Sequence, residues 1–376
     1  MAALHPSPIK LAIIGTRGYP YVYGGYETFV REFAERLAKR GVEVHVYCQK
    51  GLFKERPSSL NGIHLHYIPT VNIQGLNQVL HSLFCLVHVC FSKANVVLML
   101  NLAAGPYGWL GRVFGKKMMM NTDGLEWKRP KWRGLGSAYF YLGAWCATKF
   151  YHYLVSDAEA MRRVYLEKFN TESEVIAYGS PEFKEQDSTK LSAFNLQAQS
   201  YYLIVGRMIP DNNAHLLIDE FLQSNSSKKL VVVGDVPYRD KYASGLKAKS
   251  SDRLMFTGYV RDQDALLCLY QHCFVYLHGH EFGGTNPTML KAMSNNCAIL
   301  ALDTVFNREM LEEGRYGLFF TKKPGDLANA LARIEMHPAE LDSFRKTVAN
   351  GLTEKYKWER VVDKYQELFQ KALLSK

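Results

Sequence analysis

Short, nearly continuous apolar runs alternate with amphipathic stretches along almost the whole chain, and that alternation limits the possible folds more than any other feature. In the first half the runs are 10–15 (KLAIIG), 42–48 (VEVHVYC), 64–69 (HLHYIP), 95–101 (NVVLMLN), 117–121 (KMMMN), 152–156 (HYLVS) and 174–179 (EVIAYG). Between them lie segments of helical period such as 26–41, which ends in Lys39, Arg40 and Gly41, a basic last turn and a glycine stop. Strands that are apolar on both faces and separated by helices belong to a parallel sheet covered on both sides. The pattern lapses over the polar residues 182–200, which read as a linker. It restarts with 201–206, 229–235, 253–258, 273–279, 297–303 and 317–320, and a long amphipathic helix over 356–374 closes the chain. The expected fold is α/β, with two tandem doubly wound, Rossmann-like domains over 1–185 and 198–355. Open parallel sheets take ligands beyond the carboxyl ends of their strands, so the cleft between two such domains is the expected site.

Composition agrees with this reading. A chain of 376 residues with 47% hydrophobic and 22% charged residues is a globular protein of about two domains. Seven cysteines lie mostly in apolar runs without CxxC or Cys/His zinc spacing, and read as buried thiols in a reducing compartment. The start, MAALHPSPIK, lacks the features of a signal peptide. The longest apolar stretch, 79–92, contains His81 and His88 and falls short of the roughly 20 residues that a membrane span needs. It reads as a buried helix. The net charge of +10 is uneven: residues 1–185 carry 22 Lys and Arg against 14 Asp and Glu. A basic first half points to an anionic partner such as a phosphate, a nucleic acid or an acidic membrane face.

Residues 278–293, HGHEFGGTNPTMLKAM, follow an apolar strand directly. Asn286 is a good N-cap, Pro287 sits at the first helical position, and Gly283 and Gly284 permit close approach to the backbone. Two readings are open: an anion site at a helix N-terminus, most naturally for phosphate, or a tight strand-to-helix turn. Residues 13–29 repeat the grammar, with Gly24 and Gly25 just before a helix. GxGxxG is absent and no acidic residue ends the second strand, which argues against a dinucleotide fold. Arg207 in LIVGRMIPDNN stands just past the first strand of the second domain; alone it reads as a surface arginine.

The chain resembles GT-B glycosyltransferases of family 4. The resemblance rests on VGR after the first strand of the second domain, on FTGYV, and on the glycine-rich loop before AM. The stretch 13–41, DGLEWKRPKW, and GGTNPTMLKAM followed by ALDTVFNREML look like the rhamnosyltransferase branch. This implies that the helix 356–376 crosses back to pack on the first domain. It also implies retaining transfer from a nucleotide-diphospho-sugar held by the second domain, without a metal or other cofactor. By resemblance, Arg207 meets the diphosphate, and Gly283, Gly284, Thr285 and Asn286 wrap the donor. Gly24 and Gly25 face the diphosphate, and Asp123 lies near the reacting sugar, where it orients the acceptor or acts as base. Residue by residue, Asp123 also reads as an Asp-Gly turn.

The chain departs from the broad family at three places. The usual Glu-x7-Glu pair falls on Gly283 and Lys291, and a usual lysine falls on Asn212. Lys291 either reaches a nucleotide phosphate or ribose, or faces solvent, or marks an inactive site. Glu281 is a displaced carboxylate candidate, and His278 and His280 flank the donor loop as sugar contacts or core residues. Asp262 and Asp264 read as helix caps rather than metal ligands. Lys128, Arg129, Lys131 and Arg133, beside Trp127 and Trp132, suit an anionic membrane or lipid diphosphate; a basic loop leading into a buried helix is the alternative. No nucleic-acid motif accompanies them. The expected function is transfer of a hexose, with L-rhamnose the best guess, to a lipid-linked saccharide. It would be carried out by a cytoplasmic protein peripheral to the inner face of the cell membrane. An epimerase of the same architecture and a silent sugar-nucleotide-binding protein are the rivals.

Overall fold

The computed structural model describes residues 8–20, 24–71, 73, 76–122, 124–236 and 240–375. The chain divides into two compact units, Met1–Gly179 with Lys355–Lys376, and Ser180–Glu354.

The first unit holds eight strands: β1 (Lys10–Ile14), β2 (Glu43–Gln49), β3 (Ser59–Leu60), β4 (Ile63–Ile68), β5 (Val96–Met99), β6 (Lys117–Asn121), β7 (Tyr153–Ser156) and β8 (Glu174–Val175). Their order across the sheet is β3-β4-β2-β1-β5-β6-β7-β8. All pairs are parallel except β3 with β4. That short antiparallel edge has no counterpart in the apolar pattern, because two residues are too few to show one. Every residue of β5 is fully buried, as a central strand covered on both faces requires. Helix α1 (Gly25–Lys39) packs Phe29, Val30, Phe33 and Leu37 inward. Three further helices matter below: α2 (Asn77–Cys90), α3 (Gly108–Val113) and α4 (Leu135–Phe150). Glycines let the last two lie close to their neighbours: a Cβ on Gly105 would sit 2.0 Å from the carbonyl oxygen of Gly143, and one on Gly111 would sit 2.2 Å from the Met118 sulfur.

The C-terminal helix Trp358–Leu374 belongs to this unit. Its buried stripe of Val361, Val362, Tyr365, Leu368 and Phe369 closes over α1. The Tyr365 ring lies 4.7 Å from Phe33 and 5.9 Å from Phe29. The Asn121 side-chain amide donates to the Tyr365 hydroxyl at 3.1 Å. Arg40 pairs with Glu359 and, at 2.6 Å, with Asp363.

The second unit is a six-stranded parallel sheet of β9 (Tyr201–Val205), β10 (Lys229–Val233), β11 (Leu254–Gly258), β12 (Val275–His278), β13 (Ile299–Leu302) and β14 (Leu318–Phe320), ordered β11-β10-β9-β12-β13-β14. Its core joins these strands to Leu217, Phe221, Leu327 and Leu331 from the covering helices. Residues 182–200 are packed structure rather than a free tether. They include a short 3-10 helix, Ser188–Phe194, whose Leu191 is buried, and the Gln271 side chain accepts a hydrogen bond from the Gln186 backbone. The seven cysteines are free and buried. Among the described residues, no helix is long and apolar enough to cross a membrane.

Candidate functional site

In the second sheet the chain runs outward through β9, β10 and β11 in one direction and through β12, β13 and β14 in the other. Strands β9 and β12 are hydrogen-bonded neighbours, with Val275 opposite Tyr202 and Tyr276 opposite Leu203. The order reverses between them, and such a switch point is where a doubly wound sheet opens a ligand crevice. Arg207, two residues past β9, and the loop 279–286, directly past β12, both lie at this point.

The loop enters its helix as the residues dictate. Asn286 caps the helix Pro287–Ser294 through its side-chain oxygen, which accepts from the Thr288 amide at 2.9 Å and from the Thr288 hydroxyl at 2.7 Å. Gly283, Gly284 and Thr285 are buried. A Cβ at 283 would stand 2.7 Å from Nε2 of His280, so a side chain there would have to displace that ring. The His280 ring therefore occupies the space that a glutamate at 283 would need.

His280 is itself held. Its Nδ1 meets Oδ1 of Asn212 at 2.9 Å, and the Asn212 amide donates to the Arg207 carbonyl at 2.8 Å. With Nδ1–H donated to that oxygen, the neutral ring presents Nε2 as an acceptor, and the protonated ring presents it as a donor. The neighbouring Asn213 donates to the Gly279 carbonyl at 2.9 Å and to Glu281 at 3.2 Å, and Lys322 pairs with Glu281. Asn307 donates to the His280 carbonyl at 3.0 Å and the Leu302 carbonyl at 2.8 Å. Three asparagines thus tie the ends of β9, β12 and β13 into one rim. In the sequence Asn212 stands out only as a missing lysine, and the Asn-Asn pair after Pro210-Asp211 is the local signal for this role. Among the described residues, no carboxylate pairs with Arg207.

The other named residues separate. His278 is a core residue: it is 3% exposed, its Nδ1 meets the Tyr276 hydroxyl at 3.1 Å, and burial pushes its pKa down to about 3. Lys291 lies half-buried one turn into the helix, with Nζ 3.5 Å from Gln263 Oε1. Asp262 caps its helix through the Asp264 and Ala265 amides at 2.9 and 3.2 Å. Asp264 pairs with Lys184 and Lys190.

In the first unit Gly24 is the N-cap of α1, and its carbonyl accepts from the Thr28 amide at 3.1 Å. The first turn already holds a carboxylate. Glu27 is buried and accepts from the Arg17 amide at 3.2 Å, so the positive end of this helix is partly answered from within. Asp123 lies outside the described residues. The basic segment does not present four free cations. Arg129 is buried and pairs with Glu126 at 2.8 Å, Lys131 pairs with Glu126 at 3.3 Å, and Trp132 Nε1 donates to it at 2.8 Å. These partners hold the Glu126 carboxyl below its usual pKa despite burial, since an enclosed carboxylate must be paired. Lys128 and Arg133 are exposed and stand outside this Glu126 cluster, whereas Lys131 is exposed but tied to it.

Residues 199–336 match the family model described as Glycosyl transferases group 1, and residues 9–181 match that described as Domain of unknown function (DUF1972). No curated protein matches the chain. Among solved structures, a sucrose-phosphate synthase (tll1590) from Thermosynechococcus elongatus is similar with a TM-score of 0.82 at 16% identity, covering 96% of this chain and 98% of that one. Anabaena Alr3699/HepE in complex with UDP-glucose gives 0.76 at 14% identity, with 96% and 100% covered. WaaG, a glycosyltransferase involved in lipopolysaccharide biosynthesis, gives 0.71 at 15% identity, with 96% and 99% covered. Such low identities speak for the fold alone. It is the GT-B fold.

Proposed function

We propose, taking as premise a GT-B chain whose second unit is a glycosyltransferase group 1 domain, that the protein moves a hexose from a nucleotide-diphospho-sugar to a lipid-linked saccharide. The transfer retains anomeric configuration, needs no metal, and carries L-rhamnose as the hexose. The reading includes a peripheral position on the inner face of the cell membrane. The observation that carries the donor side is the pairing of an arginine without a carboxylate partner among the described residues with a glycine loop and capped helix at one switch point. Arg207 and the first-turn amides after Asn286 supply charge where a diphosphate leaves.

In the proposed step the bond from the anomeric carbon to the diphosphate oxygen breaks, and a bond from that carbon to the acceptor oxygen forms. The acceptor proton passes to the departing phosphate. Negative charge grows on the diphosphate, so fixed donors there lower the barrier more than they strengthen ground-state binding. His280, oriented by Asn212, stands beside this charge as a further donor when protonated. Gly283, Gly284, Thr285 and Asn286 wrap the sugar and phosphates, and Lys291 reaches toward a phosphate or the ribose. Glu281, paired with Lys322, is a rim residue. By the family resemblance, Gly24 and Gly25 serve the diphosphate and Asp123 orients the acceptor hydroxyl. UDP-glucose is the ligand named for the Anabaena neighbour, which makes it the first donor to try.

The test is a thermal-shift panel of UDP-, GDP- and dTDP-linked hexoses, since a ligand that binds only the folded chain raises the melting temperature by mass action. One sugar nucleotide should stand out, and the free sugar should not. Product analysis with and without acceptor then separates transfer from epimerisation. Selective binding with neither transfer nor donor hydrolysis would leave a silent binding protein, and no response to any nucleotide would end the proposal.

A further inference from the structure

The first unit carries an apolar face that its own core does not use. The long apolar run 79–92, expected to be a buried helix, is α2, and only one side of it is buried. Val79, Leu86 and Val89 point inward, while Phe84, Val87 and, just past the helix, Phe91 are exposed, with Phe91 at 78%. Helix α3 exposes Trp109 at 51% and Val113 at 73%. Helix α4 buries Phe140, Ala144 and Ala147 and exposes Leu142 and, at 46%, Trp145. These positions recur at helical spacing, so each helix has an inward stripe that is satisfied and an outward stripe that is not. The outward stripes are joined. The Phe91 ring packs edge-on against Phe114 at 5.2 Å, tying the end of α2 to the end of α3. The Arg112 guanidinium donates to the Lys149 carbonyl at 3.1 Å, tying α3 to the end of α4. Scattered apolar residues on a surface need no explanation, but a contiguous set of large ones marks a docking surface.

Charge identifies what docks there. Residues 71–150 contain nine Lys and Arg against two acidic residues, a net +7 out of the +10 for the whole chain. Lys93, Lys128, Arg133 and Lys149 are exposed, and no carboxylate among the described residues pairs with any of them. A second copy of the chain would bring the same positive segment against itself and be repelled. Large apolar and indole side chains among cations match a lipid interface with acidic headgroups, where the rings enter the headgroup and acyl boundary and the cations stay at the phosphates.

We infer that the outward face of α2, α3 and α4 inserts shallowly into a membrane bearing anionic lipid, with Phe91, Trp109, Val113 and Trp145 as the embedded side chains. The inference deepens the proposed function and rests on it for the purpose of docking, since a lipid-linked acceptor is reached from a membrane surface. It also moves the anchor. The segment around Glu126 is a folded ion-pair cluster, and the anchor is the helical face beyond it.

The test uses the full chain and vesicles of phosphatidylcholine with about a third phosphatidylglycerol. Indole fluorescence should shift to the blue on binding, and lipids brominated in the acyl chain should quench it. A Phe91→Ser, Val113→Ser double variant should lose about tenfold or more in partitioning, as removal of two embedded side chains demands. Its melting temperature should change little, because Phe91 and Val113 are 78% and 73% exposed and only the edge contact of Phe91 with Phe114 is lost. A Lys128→Gln, Arg133→Gln variant should bind more weakly to anionic vesicles and no differently to neutral ones. Unchanged partitioning of the serine variant would overturn the inference. So would binding without acyl-chain quenching, which would leave only an electrostatic contact. A parent that sediments as a dimer, dissolved by the same serine substitutions, would overturn it in favour of self-association. If the serine variant lost stability, quenching of the parent would decide alone. Donor titration in solution keeps the two readings apart: intact donor binding without insertion removes this inference and leaves the donor side of the proposed function standing.

Discussion

At Arg207 a single side chain has no ionic partner among the described residues, and its value lies in that freedom. An arginine already paired with a carboxylate would have to break that pair to meet a diphosphate. Arg207→Ala should lower transfer by roughly 2–4 kcal/mol of barrier and leave the fold intact. Near-normal turnover of a folded variant would remove the residue from the mechanism. Gly283 makes a second argument at this scale. Its Cβ would meet the His280 ring at 2.7 Å, so Gly283→Ala must turn that ring away from Asn212. Asn212→Ala removes the orienting acceptor and leaves the ring in place. Both should weaken binding of the intact nucleotide sugar in calorimetric titration, and His280→Ala should not add to either loss. Additive losses would mean that the glycine and the asparagine act separately. The sequence made Gly283 visible as a departure, but that a histidine fills the vacated space depends on the path of the backbone from β12.

Among elements, the pairing of β2 with β4 has a consequence for pH. His45, His64 and His66 stack across these strands, with ring centroids 4.8 Å apart for His45 and His64 and 5.2 Å for His45 and His66. Tyr47 stacks on His66 at 4.8 Å, and His88 from α2 lies 5.1 Å away. Lys10 and Glu43 are the charged groups beside them. Burial, then the neighbouring histidines, depress His66 to about 4, and His45 is lowered chiefly by burial. The unfolded chain therefore takes up protons at these sites before the folded chain does. Stability is fully present above the ordinary histidine pKa of about 6.5 and is lost as pH falls toward 4. His278 in the second unit acts in the same direction. The melting temperature should fall between pH 7 and 4.5, and His66→Phe, which keeps a ring against Tyr47, should flatten that slope. An equal slope in the variant would assign the acid sensitivity to other groups. The apolar alternation foretold β2 and β4 as strands; that four aromatic or histidine rings meet on one face follows from the register, which places His45 opposite His64 and Tyr47 opposite His66.

For the molecule as a whole, the last helix is the part whose role a linear reading understates. Trp358–Leu374 is far in sequence from α1, yet Tyr365, Phe369 and Trp358 complete the aromatic cluster around Phe29 and Phe33. Each of the buried side chains Val361, Val362, Tyr365, Leu368 and Phe369 contributes roughly 1.5–3 kcal/mol, and together these five rival the whole stability of an ordinary domain, about 5–15 kcal/mol. A chain ending at residue 355 should therefore lose the cooperative melt of the first unit, while the Ser180–Glu354 unit keeps its own. Differential scanning calorimetry would show one transition in place of two. Survival of both would mean that the helix is dispensable to the core. The sequence alone determined the strands of both sheets beyond the two-residue β3, the breaks between them, the helix cap at Asn286 and the basic character of residues 71–150, because periodicity, turn chemistry and charge are local properties. The tertiary structure alone decided which asparagines orient His280, which cations are consumed by Glu126, and which side of α2 is left bare. Those outcomes depend on which distant segments share a surface, and no local period records it.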